Sequence, residues 1–204
     1  MFKNKKFGFT LAEMMIVVGI IGVVATLSMS ILNKAKPDKE MVMFKKAYYL
    51  MGRSIVEMIN DDDMYPENMD GNQYFGNVDE VEVKGKLYEG DTKFCELFAS
   101  RVNTMGTPSC TEKTFTDGTA STGQFTTADG ITWILPISNF DDNSTTYPIY
   151  IDVDGEKGQN CFYNETTCKN PDRFTVEFYQ DGKMEVNGEI EKKYLATSNL
   201  SEDQ

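Results

Sequence analysis

From Met14 to Leu32 the sequence MMIVVGIIGVVATLSMSIL carries no charged side chain. Wound into a helix at about 1.5 Å per residue, such a run is long enough to cross most of a bilayer core. Lys3, Lys5 and Lys6 precede it and a long acidic region follows. The positive-inside bias therefore predicts a cytoplasmic N-terminus, a single pass through the cytoplasmic membrane, and an extracytoplasmic remainder. Cys95, Cys110, Cys161 and Cys168 all lie downstream of the run, on the side where disulfides persist. Pairing of sequence neighbours is the simplest of their three connectivities and closes two short loops; four buried free thiols are the other reading.

Glu13 does not fit an ordinary anchor. It stands directly before the uncharged run, where a carboxylate facing lipid is costly and ordinarily has a partner. The local sequence is Lys5-Lys6-Phe7-Gly8-Phe9-Thr10-Leu11-Ala12-Glu13. Cleavage between Gly8 and Phe9 would create a new α-amine one helical turn from the Glu13 carboxylate. A secretory signal cut after Ser28-Met29-Ser30 is the plain alternative, but a carboxylate at the head of the apolar region has no role in such a signal.

Over Lys5 to about Leu32 the chain resembles the type IV prepilin family, which includes type II secretion pseudopilins and competence pilins. The resemblance implies that a membrane aspartyl prepilin peptidase cuts after Gly8 and methylates Phe9. It also implies that Glu13 neutralises the N-terminal amine of a neighbouring subunit in a filament. The physics is independent of the likeness, because a buried amine and a buried carboxylate are each costly alone and far less so as a pair. The partners implied are the prepilin peptidase, other pilin or pseudopilin subunits, an inner-membrane assembly platform and membrane lipid. Ala12 stands where the family often has a large aliphatic residue, Met14 where leucine is usual, and no proline interrupts the run near Ser30; Pro37 is the candidate for a bend.

Beyond the run, Phe44, Tyr48, Met51, Ile55 and Met58 recur at helical spacing and form one apolar face. The expectation is one helix from Phe9 to Asn60, about 78 Å long at the standard rise. The turn formers Asp61-Asp62-Asp63, Tyr65-Pro66 and Asp70-Gly71-Asn72 end it. A short helix is expected over residues 91–102 with Asp91 as its N-cap. Residues 103–129, rich in Thr, Ser and Gly, read as a surface loop anchored by a Cys95–Cys110 bridge. Strands are expected at Ile131–Ile137, Pro148–Val153, Arg173–Tyr179 and Met184–Val186, the last two joined by a turn at Asp181-Gly182. The fold class is thus α+β: a long N-terminal membrane-spanning helix packed against a small C-terminal antiparallel sheet. The organisation read from the sequence is a leader at 1–8, a membrane and assembly helix at 9–32, its amphipathic continuation at 33–60, a head at 61–187 and a frayed polar tail at 188–204.

The segment Asp152-Val153-Asp154-Gly155-Glu156-Lys157-Gly158, with Asn160 and Asp172 after it, offers hard oxygen ligands on a glycine-bearing loop. Asp152, Asp154 and Asp172 are candidate calcium ligands, a solvated turn being the bland reading. The loop resembles the Asp- and Gly-rich segment of pseudopilin-like proteins, some of which bind calcium near it, but lacks the full twelve-residue calcium-loop pattern. The chain has no histidine, which excludes Ser-His and Cys-His nucleophilic pairs and His-ligated metals. No cofactor fingerprint accompanies the paired carboxylates, so no catalytic residue and no enzyme activity are expected. A formal charge of -12 disfavours nucleic acid as a partner. Two functions remain: a structural filament subunit, or a membrane-anchored extracytoplasmic binding module that never enters a filament.

Overall fold

A computed structural model of the protein describes residues 10–34, 38–115 and 120–197. The protein is α+β, with an N-terminal helix and a C-terminal antiparallel sheet. Two compact units divide it: one holds helix α1 (Leu11–Lys34), and the other begins at Lys39.

The single helix expected from Phe9 to Asn60 is instead two elements, α1 and α2 (Lys39–Ile59). The sequence places Pro37 between them, and a proline disfavours helical backbone in the residue before it. Residues 35–37 lie outside the described ones. The amphipathic face of α2 is as expected: Phe44, Met51, Ile55 and Met58 are buried, and Tyr48 is partly so. Phe44 packs with ring centroids 4.6 Å from Phe174.

After α2 the chain makes a small hairpin, β1 (Val81–Val83) with β2 (Lys86–Tyr88), and then helix α3 (Lys93–Arg101). The expected cap at Asp91 is a correction. Gly90–Thr92 form a 3-10 turn, Thr92 occupies the N-cap, and the Asp91 carbonyl accepts from Ser138 N at 3.1 Å. Burial of Phe94, Cys95, Leu97 and Phe98 holds this short helix in place.

The sheet is a six-stranded antiparallel meander with spatial order β3-β4-β5-β6-β7-β8. Its strands are β3 (Thr104–Phe115), β4 (Ala120–Thr127), β5 (Thr132–Pro136), β6 (Tyr147–Asp152), β7 (Arg173–Phe178) and β8 (Met184–Glu185). The described residues of 103–129 therefore form mainly the strands β3 and β4 and not the expected loop, and the physical reason is visible at Gly123. A Cβ there would stand 2.5 Å from Cys95 Sγ and 3.0 Å from Cys110 Cα. The strand buries a disulfide where an apolar side chain would otherwise sit, so hydrophobic alternation is lost, while β-branched threonines still suit pleated backbone. In β7, Phe174, Val176 and Phe178 alternate inward as expected, and Gly182 turns the following hairpin at φ 85°.

Two disulfides, Cys95–Cys110 and Cys161–Cys168, join sequence neighbours. The tail expected to fray from Gly188 is, through Thr197, mostly helix α4 (Glu189–Ala196). Tyr194 is its anchor, buried with its ring centroid 5.7 Å from Phe174.

Candidate functional site

The start of α1 is built by a reciprocal pair of contacts. Thr10 N and Thr10 Oγ1 both donate to Glu13 Oε2 at 2.8 Å, while Glu13 N donates to Thr10 Oγ1 at 3.3 Å. This is a capping box, in which a threonine and the glutamate three residues on satisfy otherwise orphaned donors at a helix N-terminus. The spacing Thr-Leu-Ala-Glu was the available signal, and the sequence reading passed it over in favour of the carboxylate's charge alone. The box fixes the carboxylate at the first turn of the helix. Gly8 and Phe9, the expected processing residues, lie outside the described residues.

Along α1 the described apolar side chains from Leu11 to Leu27 are exposed. Leu11 is 81% exposed and Ile16, Val18, Ile21 and Leu27 are each 61–67% exposed or close to it. Among the described residues no helix is long and apolar enough to cross a membrane. The expected span runs on to residue 32, and the side chains of 28–34 are outside those described.

The acidic loop joins β6 to β7. Asp152 and Arg173 face each other across the two strands, with Arg173 Nε donating to Asp152 Oδ2 at 3.0 Å. Asp172 accepts backbone N–H groups from Asn160 and Cys161 at 2.9 and 2.8 Å. Gly158 is required by close approach, since a Cβ there would collide with Asp172 Oδ2 and come 2.7 Å from Asp154 Oδ1. The Asn160 amide, turned with its nitrogen toward the acids, donates to Asp152 Oδ2 at 2.8 Å and to the Gly155 carbonyl at 2.6 Å. Two carboxylate oxygens, Asp152 Oδ1 and Asp154 Oδ1, are left buried without a hydrogen-bond partner.

Burial pushes the Asp152 carboxyl above its ordinary value; the Arg173 guanidinium pulls it back, and the charges of Asp172 and Asp154 add to the rise. Among the described residues no three His, Cys, Asp or Glu side chains are grouped so as to hold a metal ion. Asp172 is committed to the backbone and one oxygen of Asp152 to Arg173, which leaves Asp152 Oδ1 and Asp154 Oδ1 as buried oxygens that a cation could take.

Lys93 carries a further buried charge that no sequence pattern marked. It is 1% exposed, donates to the carbonyls of Asn77 and Asp79 at 2.9 Å each, and stands 4.6 Å from the centroid of the Tyr65 ring. Burial pushes its pKa down to about 8, with Asp79 opposing. It pins the 77–79 loop to α3.

No curated protein and no solved structure matches the chain. Residues 3–29 match the family described as the prokaryotic N-terminal methylation motif. That match contains Gly8, Phe9 and Glu13 and most of α1. The chain therefore carries the prepilin-type cleavage and methylation signal at its N-terminus and is, on that motif, type IV pilin-like or pseudopilin-like.

Proposed function

We propose that the protein is a structural subunit of a type IV pilus or of a type II secretion pseudopilus-like filament. In this reading the prepilin peptidase removes residues 1–8 and methylates Phe9. The run from Met14 to Leu32 first spans the cytoplasmic membrane and then, drawn out by an inner-membrane assembly platform, packs against the helices of other subunits. The observation that carries the reading is the methylation motif over residues 3–29 on a helix whose described apolar side chains are exposed. An uncovered stripe of this size is stable in lipid or between subunits and unstable in water. Glu13, already fixed at the first turn, keeps one oxygen outside the capping box and receives the Phe9 amine of an adjoining copy.

Mass spectrometry of the N-terminus of the native protein tests this. N-methyl-Phe9 is the expected terminus; an intact Met1 or a start near Ile31 overturns the proposal.

A calcium ion is proposed for the acidic loop, held by Asp152 Oδ1 and Asp154 Oδ1 with water completing its shell. The two buried, unpartnered oxygens support it, because an unmatched buried carboxylate costs stability that a cation relieves. A carboxyl raised above its unfolded value, as at Asp152, loses stability as pH rises through its folded pKa. At neutral pH, therefore, chelation by EGTA is expected to lower the melting midpoint of the full chain in detergent, and added calcium to restore it. An unchanged midpoint removes the ion.

A further inference from the structure

A concavity of the head is lined by none of the acidic loop's carboxylates Asp152, Asp154 and Asp172. It is a groove of about 700 Å³ on the outer face of β6 and β7, within the size range of small-molecule sites. Its floor is the cross-strand pair Tyr150 and Thr175. One wall is the loop closed by Cys161–Cys168, which contributes Phe162 and Tyr163; the other is the segment entering α4. Tyr150 and Phe162 meet edge to face at 5.7 Å, and Tyr163 is 56% exposed.

The chemistry of the lining is one-sided. Glu165, Glu177, Glu189 and Glu191 line the groove, and among the described residues no lysine or arginine does. Two of these are fixed by backbone contacts: Glu165 accepts from Phe162 N at 2.9 Å, and Glu191 from Thr175 N at 3.2 Å. Glu177 lies on the sheet face and Glu189 on the first turn of α4. Aromatic faces beside carboxylates attract cations carried on apolar stems, the rings through their quadrupoles and the carboxylates through charge.

We infer that this groove binds a small organic polycation, several ammonium groups joined by methylene stems, with the stems on Tyr150, Phe162 and Tyr163 and the ammonium groups on Glu177 and Glu189. A polyamine fits better than a single amine because Glu177 and Glu189 both line the cavity and one ammonium group can pair with only one of them.

The test is calorimetric titration of spermidine into the full chain in detergent at low salt. A saturable single site is expected, weakened about tenfold in the double variant Glu177→Gln/Glu189→Gln and comparably in Tyr163→Ala. Both variants change half-buried or exposed side chains and leave the two backbone-bonded glutamates in place. Spermidine binding that both variants leave unchanged overturns the assignment, as does full competition by magnesium at equal charge, which marks general counterion attraction to an acidic chain. A trilysine peptide binding at least about tenfold tighter than spermidine, with the same sensitivity to the variants, replaces the small polycation with a basic peptide and also overturns it.

Discussion

Glu13→Val is expected to leave cleavage after Gly8 intact and to abolish incorporation into filaments, read as processed protein in the membrane and none in the sheared fraction. Truncating one member of a buried ion pair leaves the other charge uncompensated, at about 3–5 kcal/mol per contact. That is a loss of about a hundredfold to a few thousandfold at each subunit addition, and a polymer multiplies it. Valine also removes the capping box with Thr10, worth about 1 kcal/mol to the helix start, so the valine variant alone does not separate charge from helix geometry. Glu13→Gln does. Glutamine completes a capping box as well as glutamate but offers no charge to a neighbour's amine. The proposal requires both variants to fail in assembly. A glutamine variant that assembles normally assigns the residue to helix capping alone, and a valine variant that assembles normally favours the membrane-anchored binding module.

What the sequence disclosed, and what it hid, follows from where the order of each segment comes from. The face of α2, the alternation in β7 and the Asp181-Gly182 turn were legible because each is dictated locally, by periodicity or by a glycine at positive φ. The strands β3 and β4 were not, because apart from Phe125 the described inward positions of β4 hold Thr122, Gly123 and Thr127, and β3 contributes the Cys95–Cys110 bridge. Helix α4 was hidden for a related reason: its eight residues hold four charges, and Tyr194, Ile190 and Leu195 attach it to a core that includes Phe44 and Phe174 from other elements. The unbroken helix was over-read by extending periodicity across Pro37. At the N-terminus the methylation motif was readable because it is contiguous, and the capping box of Thr10 with Glu13 was written in the same Thr-Leu-Ala-Glu spacing. In the acidic loop the residue types pointed to a cation, but only the fold reveals that Asp172 is occupied by backbone N–H groups.

Phe178→Ala is expected to be the most damaging single truncation in the head, costing about 3–5 kcal/mol. Phe178 is wholly buried at the point where four separate segments meet. Its ring lies 5.0 Å from Phe94 of α3 in a stacked arrangement, 5.1 Å from Phe75 and 5.6 Å from Phe140. Phe75 and Phe140 stand on irregular backbone, so their positions are fixed by this contact and by single hydrogen bonds such as Phe75 N to the Gln180 carbonyl at 2.8 Å. Removing the ring deletes burial and leaves a cavity that neither disulfide closes, because the bridges tie α3 to β3 and the 161–168 loop to itself. Against a typical domain stability of about 5–15 kcal/mol, the expected loss is a large fraction of the total. Urea unfolding of the full chain in detergent measures it, with Val56→Ala on the exposed side of α2 as a control expected to change stability by about 0.5 kcal/mol or less. A Phe178→Ala cost near that of the control would mean that α3 and the two aromatic loops are held to the sheet by something other than this cluster. The Cys95–Cys110 bridge would then be the next contact to remove.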